Sequence, residues 1–242
     1  MSQNENFVIL VLDCFDSREF TELLSDHPEY RETFADFTYF ENMTAAYSCT
    51  KRSIPFILGG DWYENQGSFT EYMNDVYSGS PLFTALKERG YLIDLYEDEL
   101  YTQDENALSD FDNIIIAKYH VNSWIRLAKQ ELKLVGFRYA PFDLKRFCVT
   151  KKSGFDEEIL VDCGYKGFNS ENYYFKGDLE DNEIVMDDTQ KRFKFIHLVG
   201  AHTPFIYDSD CNIIDMKDGT YKQNAEASIT LAAMYIDALK KS

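Results

Sequence analysis

The chain has 242 residues, 45% of them apolar and 27% charged, with five prolines, so it is long enough to bury a sizeable α/β core and has nothing of a disordered or fibrous composition. Its net charge of −18 argues against a nucleic-acid partner, whose phosphates need a basic face, and against unaided docking on anionic lipid. Its five cysteines form no CxxC pair and suggest neither a zinc knuckle nor a disulfide framework.

The apolar run Phe7 to Leu12 reads as a buried parallel strand ending at Asp13; it is too short to span a bilayer and lacks a signal-peptide layout, so the chain as given is expected to be soluble. Ser17 to Ser25 reads as a short helix, Phe37 to Phe40 as a second short strand, and Asn42 to Tyr47 as a loop or extended stretch. Ser53-Ile54-Pro55 reads as a helix start, with Ser53 as cap and Pro55 in the first turn, and Gly59-Gly60 limits that helix to a turn or two. Pro81 to Arg89 is amphipathic, with Leu82, Phe83 and Leu86 on one face and Gly90 as the stop. Tyr91 to Tyr96 and Asn113 to Ile116 read as strands, and Asn122 to Leu134 as a helix. Residues 135–190 have weak periodicity and are expected to hold insertions and short strands. Phe193 to Val199 is a strong strand, and Asn224 to Lys240 a helix with an apolar stripe through Ile229, Ala232, Ala233, Ile236 and Leu239.

Alternating strands and helices point to an α/β fold with a doubly wound, mostly parallel sheet, in one domain over residues 1–242 with an irregular insertion at about 135–190. Ligands of such sheets sit at the carboxyl ends of strands, which would gather Asp13, the Thr50 region and the turn after Val199 in one crevice.

Three places there can carry chemistry. Asp13 is a hard-metal ligand or anion-site residue at a strand end. Tyr47 to Pro55 sets Ser48, Cys49, Thr50, Lys51, Arg52 and Ser53 just ahead of a helix N-terminus, where free N–H groups and the dipole favour anions and the two cations can balance phosphate. His197 and His202 flank the end of the late strand; His197 alternates within an apolar strand, whereas His202 sits in the following loop and is the better site candidate.

In order, these segments resemble the sulfatase and phosphotransferase branch of the alkaline phosphatase superfamily. Val8 to Asp13 is similar to its first strand, which ends in an acidic metal ligand; Thr50-Lys51-Arg52-Ser53-Ile54-Pro55 resembles the T-x-x-S-x-P segment of phosphoethanolamine transferases; Pro81 to Leu92 resembles the helix-then-Gly-Tyr step into the next strand; and Phe195 to Phe205 resembles the strand ending in a phosphate- or sulfate-binding histidine followed by x-Pro-aromatic. The closing helix, from Ala225 to Lys240, is similar to the one that precedes the family's last metal motif.

The resemblance implies an alkaline-phosphatase-like domain that transfers phosphoglycerol or phosphoethanolamine from a phospholipid-like donor. Thr50 would be nucleophile and metal ligand, Asp13 a metal ligand, and His202, Lys51 and Ser53 substrate-binding residues. One or two divalent ions (zinc, manganese, magnesium or calcium) would be the cofactor, and a phospholipid or a glycan-linked phosphate or sulfate ester the substrate. The family's Asp-His-Gly motif would follow one further strand beyond Ser242, so the C-terminal part is expected to be missing, leaving this chain with weak metal binding and little turnover. A longer parent would reside in the cell membrane, with its catalytic domain outside the cytoplasm. A sulfatase would show C-x-P-x-R; Cys49 is followed by Thr-Lys-Arg-Ser, which makes Cys49 the alternative nucleophile and favours Thr50. A sulfatase or phosphodiesterase of the same fold, and a catalytically inactive relative that binds a glycan or lipid headgroup, are the alternatives.

Overall fold

A computed structural model describes residues 1–97, 105–151, 153–156, 158–165, 170–186 and 189–242. In chain order the elements are β1 (Asn6–Leu12), α1 (Ser17–Asp26), α2 (Tyr30–Thr33), α3 (Thr50–Gly59), α4 (Phe69–Gly79), α5 (Pro81–Glu88), β2 (Tyr91–Tyr96), α6 (Glu105–Leu108), β3 (Ile114–Val121), α7 (Trp124–Tyr139), a 3-10 turn (Phe142–Phe147), α8 (Ser153–Asp156), β4 (Ile159–Tyr165), α9 (Asn172–Asp181), β5 (Lys191–Leu198) and α10 (Tyr221–Lys241). The chain groups into two compact units, one of Met1–Ile114 with Tyr165–Ser242 and one of Ile115–Gly164.

The first unit is built on a three-stranded parallel sheet in the order β1-β5-β2. The late strand β5 lies between the two early ones because Phe193, Phe195, Ile196 and Leu198 are wholly buried and need cover on both faces. Side chains alternate across a strand, so the sheet has two apolar faces. Ile9, Val11, Ile93, Leu95, Phe193 and Phe195 face Ile54 and Leu58 of α3, Val76 and Tyr77 of α4, and Phe83 and Leu86 of α5. On the other face, Val8, Leu10, Leu12, Ile196 and Leu198 pack against Phe175 of α9 and Ala227, Leu231 and Tyr235 of α10. The molecule is thus mixed α/β, with a small parallel sheet flanked by helices. A separate two-stranded sheet pairs β3 with β4.

Four local readings change. The expected strand at Phe37–Phe40 is a turn and loop. Its rings pack locally instead, Tyr39 on Phe20 of α1 and Phe37 on Phe34 just past α2, and Phe37, Tyr39 and Phe40 remain exposed. Ser53 does not cap α3: the helix starts at Thr50, with extended Cys49 at the N-cap, and Pro55 lies inside it. The helix runs ten residues and ends at the glycines as expected, with Gly60 at φ +79°; the length beyond a turn or two comes from its earlier start at Thr50. The helix α4 has no counterpart in the sequence reading, although Ser68 and Glu71 carry the capping-box spacing and the Ser68 N–H donates to Glu71 Oε2 at 3.2 Å. Gly90, by contrast, ends α5 as expected, with φ at +77°. Among the described residues no helix is long and apolar enough to cross a membrane.

Candidate metal and anion site

The site lies where the carboxyl ends of β1 and β5 meet the N-terminus of α3. Asp13 extends β1 by one hydrogen bond, its N–H donating to the Leu198 carbonyl at 3.2 Å. Its position in the alternation is that of Ile9 and Val11, the face that α3 covers. Thr50, first residue of α3, closes the gap: its Oγ1 donates to the Asp13 carboxylate, 3.2 Å from Oδ1 and 3.1 Å from Oδ2. Asp13 Oδ1 also accepts the Cys14 N–H at 2.9 Å, and Nε2 of wholly buried His197 lies 3.9 Å from Oδ2.

The turn after β5 brings His202 to the same carboxylate. Gly200 takes φ +65°, and the Ala201 N–H donates to the Asp13 carbonyl at 2.9 Å. Buried Asn172 clamps Gly200 on both sides, donating to its carbonyl at 2.8 Å and accepting its N–H at 3.0 Å. Buried Asn224 of α10 holds the next stretch, with Nδ2 donating to the carbonyls of His202 at 3.1 Å and Pro204 at 3.4 Å. Nδ1 of His202 lies 2.6 Å from the Thr203 carbonyl oxygen. A carbonyl only accepts, so Nδ1 carries the proton, and it is Nε2 that the neutral ring would offer to a ligand. A carbonyl fixing the tautomer is the usual outer support of a metal-binding imidazole.

Asp13, Cys14 and His202 each offer one ligand atom, all within 4.8 Å of one another. An oxygen, a sulfur and a nitrogen converging in this way suit zinc better than magnesium or calcium, which prefer oxygen alone. Asp13 is half-buried and Cys14 and His202 are exposed, and these three could hold such an ion. Burial, then the neighbouring Asp13 carboxylate, pushes the Cys14 thiol above its ordinary value. Without an ion the thiol stays protonated near neutral pH and is a poor nucleophile in its own right.

The other predicted residues sit differently. Ser53 Oγ donates to the main-chain carbonyls of Tyr47 at 3.2 Å and Cys49 at 3.1 Å, which ties down the loop leading to Thr50. The Lys51 ammonium lies over the Phe69 ring at 5.7 Å, and Arg52 lies over Tyr63 at 5.9 Å. Cys49 is exposed, at the N-cap. Asp13, Thr50 and His202 are thus brought together, whereas Lys51 and Ser53 are engaged elsewhere.

Sequence reasoning missed Cys14, Asn172, Asn224 and Tyr221. The Tyr221 hydroxyl accepts from the Asp16 N–H at 2.9 Å and donates to the Cys14 carbonyl at 3.1 Å, bracing the turn that carries the ligands. Cys14 had a signal, being adjacent to the strand-end carboxylate. The asparagines and the tyrosine had none, because their partners are backbone atoms remote in sequence. No protein-family model, no curated protein and no solved structure matches this chain.

Proposed function

We propose that this chain is a metal-dependent phosphotransferase of the alkaline-phosphatase-like, doubly wound type, which moves a phosphoryl-alcohol group such as phosphoglycerol or phosphoethanolamine from a phospholipid-like donor through Thr50. The observation that carries this reading is the Thr50 hydroxyl, at the N-terminus of α3, within 3.2 Å of both oxygens of Asp13. That arrangement suits a nucleophile better than a structural threonine. The proton already points to a carboxylate, which leaves the Oγ1 lone pairs free for phosphorus.

Asp13, Cys14 and His202 are the residues that would hold the divalent ion. When bound, such an ion lowers the pKa of a coordinated hydroxyl and offsets charge on a phosphoryl group. The chain's own steps follow from its geometry. The Asp13 carboxylate holds and orients the Thr50 proton. Thr50 Oγ1 attacks phosphorus, the Oγ1–P bond forms, and the bond from phosphorus to the leaving alcohol breaks, with the hydroxyl proton ending on that alcohol. The first turn of α3 and its dipole stabilise the phosphoryl oxygens. An acceptor alcohol then attacks the phosphothreonine and regenerates Thr50.

The same geometry favours Thr50 over Cys49, which lies one residue outside the helix, and so favours transfer over the sulfatase alternative. The test is mass spectrometry of tryptic peptides after incubation with zinc and an activated nitrophenyl phosphodiester. A phosphoryl-alcohol increment on the Thr50 peptide, absent from Thr50→Ala, is expected even with little turnover, because a single attack by Thr50 on an activated ester leaves it. Formylglycine or an adduct at Cys49, or no adduct at Thr50, would contradict the reading.

A further inference from the structure

We infer that α7 is a docking face for an anionic phospholipid surface. This rests on the second unit alone and is independent of the chemistry proposed for Thr50.

The helix is sixteen residues long and buries none of them. At 3.6 residues per turn, Trp124, Ile125, Ala128, Leu132, Val135 and Tyr139 fall within about 100° of arc and make one uncharged stripe along its whole length. All six are exposed, Trp124 at 73%, Leu132 at 68% and Tyr139 at 74%. Among the described residues, contacts on other faces of the helix, and at Gly136 beside the stripe, hold α7 in its own unit. Thr150 Oγ1 donates to Gln130 Oε1 at 2.8 Å, Arg126 pairs with Glu158 at 2.8 Å, and Gly136 lies close against Cys148. A stripe of this kind costs free energy in water unless something covers it.

Charge indicates what covers it. The chain carries −18 overall, yet residues 124–151 hold seven Lys and Arg against two Asp and Glu. The average over the chain therefore hides a basic segment, where the net charge that argues against anionic lipid does not apply locally. Lys129 borders the stripe on one side, and Arg138 lies with Glu131 on the other. Beyond the helix, Phe142 and Phe147 are exposed, and Phe137, Phe142, Asp143, Lys145, Arg146 and Val149 line a notch of about 440 Å³. An apolar stripe with Trp and Tyr at its ends and cations along its borders is the pattern of a helix lying in the plane of a membrane surface. A second copy of the chain is a poorer occupant, because it would bring two basic segments together.

The test uses the full chain in a Trp62→Phe background, which leaves Trp124 as the sole tryptophan. Vesicles of phosphatidylglycerol with phosphatidylcholine, and of phosphatidylcholine alone, are added while emission and co-sedimentation are followed. A blue shift and co-sedimentation with the anionic vesicles are expected, weakened by salt and unchanged in Thr50→Ala. The double variant Lys129→Glu/Arg138→Glu should lower partitioning about tenfold or more, as should the milder Leu132→Gln, each with a wild-type circular dichroism spectrum. Failure to bind anionic vesicles, or equal binding to both vesicle types in every variant, would overturn the inference. So would a Trp124 shift that follows protein concentration without lipid, which marks a second copy, or one produced only by an acidic protein partner.

Discussion

Gly200 shows how tightly the candidate site is set. A Cβ there would lie 2.5 Å from both the N and the O of Asp13, and φ at +65° is strained for any other L residue. Gly200→Ala is therefore expected to cost about 2–4 kcal/mol in urea unfolding and to displace the carboxylate that Thr50 faces. Asn172 works from the other side of the same residue. Asn172→Ala strands the Gly200 N–H and carbonyl in a buried place and should cost about 1–3 kcal/mol, with weaker zinc affinity by calorimetry. A variant of equal stability and unchanged affinity would show that the clamp does not position His202. Around that turn, Asp13 and His202 stood out in the sequence because each follows a strand end, and Thr50 because Thr50-Lys51-Arg52-Ser53-Ile54-Pro55 resembles a T-x-x-S-x-P segment. The clamps did not, since a buried asparagine leaves no local periodicity.

Among the elements, β5 and β2 share a polar feature inside an apolar sheet. Asp94 stands opposite Lys194 in the register, and its Oδ2 accepts from Lys194 Nζ at 2.9 Å and from Arg192 Nη1 at 2.9 Å. Asp94 and Lys194 are both buried. Asp94→Ala would leave the ammonium uncompensated and is expected to cost about 3–5 kcal/mol, with Asp94→Asn losing less; equal, small losses would mean that water reaches the pair. The helix α3 depends on packing in the same way. Leu58 is wholly buried against the sheet, so Leu58→Ala should cost about 2–5 kcal/mol by chemical denaturation and loosen the element that presents Thr50. The strands β1, β2 and β5 and the helices α1, α5 and α10 could be read from hydrophobic period and caps. The Phe37–Phe40 segment misled because aromatic alternation resembles a strand where no partner strand exists. The start of α3 misled because Ser53 and Pro55 look like an opening turn, while the tie between Thr50 and Asp13 is visible only in three dimensions.

Over the whole first unit, burial sets the response to alkali. Burial pushes the Cys211 thiol up to about 12 and raises the Tyr96 and Tyr235 hydroxyls far above their ordinary values. Each group is held neutral in the folded chain and ionises more readily when unfolded. Their contribution is therefore fully present below the unfolded thiol value of about 8.5 and is lost as pH rises through the folded values. Stability measured by urea should fall steadily from about pH 9 upward, and Cys211→Val should flatten the first part of that fall. A flat profile to pH 12 would contradict the burial of these groups. The order of the sheet was less legible than its strands. No local pattern tells that β5 inserts between β1 and β2, yet that insertion is what brings His202 to Asp13. The cluster gathered there by strand ends and a helix start is tested most directly by anomalous diffraction at the zinc edge from zinc-soaked crystals of the full chain. One strong peak about 2.0–2.3 Å from Asp13, Cys14 Sγ and His202 Nε2, facing Thr50 Oγ1, is expected. A peak elsewhere, or a Thr50 hydroxyl turned away from it, would contradict the account.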